Sequence, residues 1–430
     1  MAARAKMNIE QAWESLFDTL SIVDKVNNDG VYRISAKTIN VVKEARLMAK
    51  FDQSSQLPQV FQKNKLSILP VTRGEYIIGR FSTHKKITYP AIKPTPVEIP
   101  DLQTLDYTNL YSEASALLFA YNSGIIQDIM GSPAVAFTVN GRMSSGTFEY
   151  FINDSLNSHS TSKVLVQNAQ VEIDAGYESA EAFCICEAKN VATEEVLIRQ
   201  LYYPYRLWQA KISKRIVPVF LVYSNDIFHA FVYEFEDLRN YNSIKLLTHK
   251  AYTFADEDIM FSDVISIWKT ITHCVEPKIT FPQADSFERV VDLMSVLAEG
   301  GLTRDEVTLK YEFDARQTNY YISACEYLGF IERGKNEDGE RLYQLSAEAR
   351  SIMSLRHKPK FIALMKKILS CPVFNEVFGL AIQAGILPDK QAICEIMSNS
   401  DLSINSTTIE RRASTVRGWL DWIFRMAVSD

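Results

Sequence analysis

The chain has 430 residues and a mass of 48.9 kDa, with 47% hydrophobic, 11% aromatic and 23% charged residues. These ordinary globular values exclude a disordered, collagenous or coiled-coil chain, and the length predicts roughly two to four domains, each able to bury a core. A formal net charge of -6 excludes a protein that holds nucleic acid by overall basicity, but leaves room for a local basic face.

Apolar stretches such as Ile216 to Val222 fall far short of the roughly 18 to 20 residues that span a bilayer, so no membrane segment is expected. Met1 to Glu10 carries basic residues but no apolar run followed by a small-residue cleavage site, so no secretory signal is expected. Cys184, Cys186, Cys274, Cys325, Cys371 and Cys394 lack the paired spacing of a disulfide framework or zinc knuckle, which points to a reducing cytoplasm.

From Asn8 to Lys25, Trp13, Leu16, Phe17 and Leu20 recur near helical spacing and predict an opening helix. A second helical stretch runs to about Lys50, then Leu66 to Leu69 and Tyr76 to Phe81 read as short strands joined across Arg73-Gly74. Pro90, Pro94, Pro96 and Pro100 stiffen the next segment, which closes an N-terminal domain at 1–100. A helix from Thr108 to Met130 opens a second domain, 101–276. Strands are expected at Ala134 to Val139, Lys163 to Asp174, Ala182 to Ala188, Val217 to Tyr223 and His229 to Glu234, with a helix at Val196 to Lys211. Strands, a helix and strands again predict a central mixed sheet flanked by helices. After a connector, Glu276 to Pro282, the helix around Phe287 to Leu297 ends at Gly300-Gly301. Two further helices, near Thr303 to Tyr311 and Asp314 to Leu328, and a charged strand-turn-strand around Gly334 to Gln344 follow the order of a winged helix, 283–355. A final helical module, 356–430, has breaks at Pro372 and Pro388.

Segment 170–190 contains three charged residues that need a joint explanation. Asp174 ends one strand beside Gly176, while Glu187 and Lys189, two apart, project from one face of the next strand. Clustered acids repel, and a buried charge is costly without a partner. A divalent cation resolves the conflict: Mg²⁺ takes oxygen ligands, commonly one or two carboxylates, and keeps waters and phosphate oxygens in its other positions. A lysine beside it can orient an attacking water and offset charge at phosphorus, which is chemistry for phosphodiester hydrolysis. A solvated Glu-Xaa-Lys strand face is the ordinary alternative, but Phe183-Cys184-Ile185-Cys186 is too apolar on both faces for an exposed edge.

This pattern resembles the PD-(D/E)XK nuclease superfamily, whose core is a helix, a hairpin bearing Asp and Glu-Xaa-Lys, a helix and two more strands. The resemblance implies Mg²⁺ held by Asp174, Glu187 and the Ala188 carbonyl, with Lys189 serving the nucleophilic water. No proline precedes the acid, because Ile173-Asp174 stands there, and Glu172 and Glu178 are rival acids. Glu172 would share a strand face with Asp174 and Glu178 lies past the turn, so Asp174 is favoured. The superfamily often places an acid or phosphate contact on the helix ahead of the hairpin. Gly141 to Glu149 is read as opening that helix, with Arg142 and Ser145 toward phosphate and Glu149 assisting the metal; an ordinary loop and helix cap explains the same residues. Gln200 either contacts the site from its helix or is simply a satisfied polar residue. Glu44 to Asp52, Leu57-Pro58, Leu66 to Pro70 and Arg73 to Gly79 are similar to the opening of a group of bacterial type II restriction endonucleases.

For DNA binding, Arg316, Gln317 and Asn319 on the third winged-helix helix are suited to base edges in a major groove. Arg333, Lys335 and Arg341 would come from the wing, diluted by Glu337, Asp338 and Glu340. Winged helices also join proteins. On the last helix, Ser406 to Met426, Arg411, Arg412 and Arg417 offer a polar face for phosphate, against the alternative of a solvated helix with Trp419 and Trp422 buried.

The expected function is therefore a cytoplasmic, Mg²⁺-dependent, site-specific double-stranded DNA endonuclease of the type II restriction kind. It would act as a homodimer, with a cognate DNA methyltransferase as a genetic companion rather than a stable subunit. A modification-dependent nuclease reading methylated DNA and a non-catalytic winged-helix DNA-binding protein are the alternatives.

Overall fold

The computed structural model describes residues 7–90, 92–255, 257–311, 315–337, 339–400, 402 and 406–428. The fold is mixed α+β, built around a seven-stranded mixed sheet.

Asn8 caps the first helix, α1 (Ile9–Leu20), through a reciprocal capping box with Gln11. The helical stretch expected to reach Lys25 breaks at Ser21, whose φ of 49° lies in the left-handed region, and resumes as α2 (Ile22–Asp29). There follow β1 (Val31–Ser35), α3 (Ala36–Asn40), α4 (Ala45–Met48), a short 3₁₀ turn at Ser54–Gln56, α5 (Gln59–Asn64), β2 (Ser67–Pro70) and β3 (Glu75–Gly79). The strands form a sheet in the order β1-β3-β2. Ile68 and Ile78 on one face close a core with Trp13, Phe17 and Phe61. Leu69 and Ile77 on the other face join the core of the central unit, as strand alternation requires.

That N-terminal core ends at Ile78, earlier than the proline-rich boundary expected near residue 100. Two short strands in the proline-rich stretch belong to the central unit: β4 (His84–Lys86) pairs with β11 (Glu195–Leu197), and β5 (Thr95–Pro96) adds to the main sheet. The central unit continues with α6 (Glu113–Asn122) and α7 (Ile125–Met130), which Gly124 at φ 84° separates into two helices. Next come β6 (Ala136–Ser144), β7 (Thr147–Asn153), β8 (Thr161–Gln167), β9 (Gln170–Glu178), β10 (Ala182–Lys189), α8 (Ile198–Gln209), β12 (Arg215–Ser224), β13 (Ile227–Phe235) and β14 (Ile244–Thr253). Gly141 to Glu149 is thus a strand, a Gly146 turn and a second strand, not the start of a helix. Lys163 to Asp174 is two strands, parted by Asn168 in the left-handed conformation.

The sheet order is β5-β14-β13-β12-β10-β9-β6. β10 and β12 run parallel, with α8 as the crossover between them, while β9 runs antiparallel to β10. Every residue of β10 is buried, which explains its unbroken apolar run: Phe183 and Ile185 meet the α8 side, and Cys184 and Cys186 meet α6 and α7.

The C-terminal unit contains α9 (Phe261–Thr270), α10 (Phe287–Ala298), β15 (Leu302–Thr303), α11 (Arg304–Lys310), α12 (Ala315–Tyr327), β16 (Ile331–Lys335) and β17 (Arg341–Leu345). It ends in α13 (Ala347–Met353), α14 (His357–Ser370), α15 (Pro372–Ala384), α16 (Lys390–Asn399) and α17 (Ser406–Met426). Pro372 occupies the first turn of α15 and Pro388 precedes the Asp389 cap of α16, so both prolines punctuate helices as expected. The two expected modules share one core, in which Phe287 of α10 packs on Trp419 and Trp422 of α17. Val264 and Ile267 of α9 lie in that core too, although the sequence placed them in the central domain.

A tight hairpin tip fastens the central sheet to this unit. Asn225 and Asp226 join β12 to β13 with φ of 53° and 61°, the two-residue loop that follows the natural twist of a hairpin. Asn225 donates to the Glu288 carbonyl, and Asp226 accepts from Lys360 of α14. Among the described residues no helix is long and apolar enough to cross a membrane.

Candidate functional site

The site is built where the β9–β10 ladder ends. From Val139↔Gly176 to Gly141↔Ile173, two steps along β6 match three along β9, so β9 carries an extra residue at Asp174-Ala175. Such a bulge redirects a side chain. The β9–β10 pairing stops at Cys186↔Ala175, and beyond it the Ala188 N–H donates to Asp174 Oδ2 at 2.9 Å instead of to a strand carbonyl. Asp174 is thereby held against the charged end of β10.

Glu187 and Lys189 continue the row begun by Phe183 and Ile185, and both are buried. Lys189 Nζ lies 3.5 Å from Glu187 Oε1, and Gln200, from the first turn of α8, donates to the same oxygen. Burial, then the Asp174 charge beside it, pushes the Glu187 carboxyl well above the usual carboxylate range, against the opposing pull of Lys189. Burial also raises Asp174, partly offset by the Ala188 N–H and by Lys189. Two further acids reach the ammonium: Glu113 of α6 at 3.5 Å and Asp52 of the N-terminal unit at 3.6 Å.

These residues floor a cleft of about 940 Å³ that all three units line. Arg46, Lys50 and Arg73 enter from the N-terminal unit, Arg142 and Arg199 from the central unit, and Lys310 from α11. The expected trio and Gln200 thus come together, and Arg142 lies on the cleft wall, paired with Glu172 at 3.1 Å. The rival Glu178 is turned away onto Lys214 at 2.5 Å.

Other expected residues lie elsewhere. Glu149 projects from β7 onto Lys163 at 2.9 Å and does not line the cleft, because its segment forms a strand. Ser145 is buried and its hydroxyl donates to the Gly146 carbonyl at 2.8 Å, so it is not displayed for phosphate. Arg412 is buried, with Nε donating to the Phe281 carbonyl at 2.9 Å; it ties α17 to the connector rather than facing solvent. Arg411 and Arg417 are exposed. On α12, Arg316 and Asn319 are exposed and Gln317 is half-buried; Arg316 Nε donates to the Tyr320 hydroxyl, and Asn319 accepts from Arg304. In the wing, Arg333 is engaged by Glu326, at 2.7 Å from Nη2. Asp314 and Asp338 lie outside the described residues.

Sequence reasoning missed Asp52, Glu113 and most of the cleft cations. Glu113 had a local signal, since it follows Ser112, the cap of the very helix expected ahead of the sheet. Asp52 had none, because its approach depends on docking between residues far apart in the chain.

The donor set suits a hard divalent cation. Glu187, Glu113 and Asp52 gather around Lys189, Asp174 stands beside them, Lys50 lies 3.9 Å from Asp52, and burial raises the carboxyls of Asp174 and Glu187. Among the described residues no group of three or more His, Cys, Asp or Glu side chains forms a ready metal cage. Two carboxylates completed by a carbonyl, waters and phosphate oxygens is the arrangement Mg²⁺ commonly takes.

Three domain families, each described as a domain of unknown function, match the chain: DUF6996 over residues 10–78, DUF6997 over 79–253 and DUF7226 over 289–428. The first two meet where the N-terminal core closes, and the third spans both parts of the C-terminal unit, as their shared core does. No curated protein and no solved structure matches the chain.

Proposed function

We propose that the protein is a Mg²⁺-dependent, site-specific double-stranded DNA endonuclease of the restriction type, with a central PD-(D/E)XK nuclease fold. The observation that carries this reading is the meeting of Asp174, Glu187 and Lys189 at a strand bulge, inside a cleft that receives cations from every unit. The sheet supports it, with an antiparallel β9–β10 hairpin bearing the acids, a helix, and a strand parallel to β10.

In this reading Asp174, Glu187 and the Ala188 carbonyl would hold Mg²⁺, and Gln200, which donates to Glu187, fixes that carboxyl. When bound, the ion would acidify a water and offset charge on the phosphoryl oxygens. Lys189 orients that water for in-line attack and steadies the transition-state charge. The water oxygen bonds to phosphorus as the P–O3′ bond breaks, the water gives up a proton to solvent and the departing O3′ takes one from solvent, and the ends expected from the resemblance are 5′-phosphate and 3′-hydroxyl. Arg46, Arg73, Arg142 and Arg199 neutralise the DNA backbone along the cleft.

The order α10-β15-α11-α12-β16-β17, with a three-stranded β15-β17-β16 sheet, supports a winged helix whose α12 displays Arg316 and Asn319 for base contact. A symmetric dimer in the cytoplasm would cut both strands, with a methyltransferase protecting host DNA. The test is incubation of methylated and unmethylated plasmid or phage DNA with purified protein and Mg²⁺. Discrete fragments from unmethylated DNA support the proposal. Fragments from methylated DNA alone would replace it with the modification-dependent alternative.

A further inference from the structure

The N-terminal unit brings an acid, Asp52, to the Lys189 ammonium. Asp52 lies in the loop after α4, and its carboxylate stands 3.6 Å from Lys189 Nζ; each side chain is under one-tenth exposed, at 6% and 7%. The approach is anchored on both sides of the seam. The next residue, Gln53, is buried and donates to Thr193 Oγ1 at 2.5 Å and to the Glu195 carbonyl at 3.3 Å. The Ser54 N–H then donates to the Glu195 carboxylate. Residues 52, 53 and 54 therefore grip, in turn, the end of β10, the loop that leaves it and the start of β11.

A lysine ammonium is a point charge on a flexible four-carbon stem with three donors, so its position is set by its acceptors. Around Lys189 the carboxylates come from three directions: Glu187 on its own strand, Glu113 on α6 and Asp52 on the N-terminal unit. Charge balance alone does not explain the third. Glu187 and Glu113 already face the ammonium, and Lys50, 3.9 Å from Asp52, is 60% exposed and so screened by solvent; a further buried carboxylate beside Lys189 carries a desolvation cost that geometry must justify.

Resting on the nuclease reading above, we propose that Asp52 is a positioning residue: it completes the cradle of the Lys189 ammonium and makes catalysis depend on docking of the N-terminal unit. Asp52→Asn keeps the shape and removes the charge, while Gln53 and Ser54 keep the seam closed. The expected result is a fall in kcat on the order of tenfold to a hundredfold. The KM for DNA and the affinity for DNA in non-cleaving Ca²⁺ stay unchanged, and Asp52→Glu recovers part of the loss. Wild-type kcat in Asp52→Asn would overturn the proposal, as would an equal loss in Asp52→Glu.

A second measurement stands apart from activity. In a double-mutant cycle of Asp52→Asn and Lys189→Met, followed by thermal melting, the two shifts should not sum, because each removes the same contact. Additive shifts would overturn the contact itself. A wild type that cuts no DNA while the cycle shows coupling would count against the nuclease reading and support the linkage between the two units.

Discussion

Lys360 Nζ lies 3.0 Å from Asp226 Oδ2, and both side chains are buried where the β12–β13 hairpin tip enters the C-terminal unit. His357 Nδ1 stands 3.2 Å from the same oxygen, and the Tyr223 hydroxyl donates to Oδ1. A buried pair stripped of one partner leaves an uncompensated charge, at a cost of about 3–5 kcal/mol. Lys360→Met should destabilise the protein by that order, measured by urea denaturation. A change within about 0.5 kcal/mol, the usual range for a surface substitution, would show that the pair does not fasten the units.

The same pair sets a pH dependence. Burial alone would raise the Asp226 carboxyl, but the Lys360 ammonium and then His357 overcome it and hold the group well below the usual carboxylate range. Its folded pKa therefore lies below the unfolded value of about 3.9. The stabilisation is present above about pH 4 and is lost as pH falls below it toward the folded value. Asp226→Asn should flatten the acid limb of the stability curve. An unchanged limb would contradict the assignment.

His229 and His249 face each other across β13 and β14, with Nδ1 and Nε2 3.0 Å apart and the Tyr89 and Phe231 rings packed on His229. Burial, then the neighbouring His249, pushes His229 down to about 4, and burial lowers His249. The folded state thus resists protonation that the unfolded chain accepts from about pH 6.5. Stability from this pair is present above that value and lost as pH falls through about 4, with a slope of up to about 1.4 kcal/mol per pH unit for His229. Denaturation at a series of pH values should show a shallower slope in His229→Gln than in wild type; equal slopes would contradict it.

Arg73 lines the cleft from the turn between β2 and β3. As a phosphate contact, Arg73→Ala should weaken DNA binding about equally for all sequences and lower the slope of log affinity against log salt by about one. Fluorescence anisotropy titrations at several salt concentrations measure both. An unchanged slope would remove Arg73 from the DNA path.

Much of the architecture was legible because it follows from periodicity and punctuation. The β10 run is apolar on both faces because the strand is interior, and Pro372 and Pro388 stand where helices begin. The β14 strand escaped notice because Lys245 to Leu247 are exposed and give no alternation. The Gly/Ser-rich turn at Ser144 to Gly146 suits a hairpin as well as a helix cap, and long-range pairing of β6 with β9 decided between them. Within the site, the spacing of Glu187 and Lys189 was visible, whereas Asp52 and the cleft cations depend on how the units dock. Arg412 looked like a phosphate ligand because a helix-face pattern cannot foresee that the Phe281 carbonyl would cover it.

The most direct measurement is cleavage of plasmid DNA by wild type and by Asp174→Ala, Glu187→Ala and Lys189→Ala, each shown to be folded and to bind DNA in Ca²⁺. The expected result is discrete fragments from wild type in Mg²⁺, none with EDTA, and a loss of several orders of magnitude in each variant. Absence of cutting by folded wild type on both methylated and unmethylated DNA, or wild-type cutting by Lys189→Ala, would contradict a nuclease centre at this bulge.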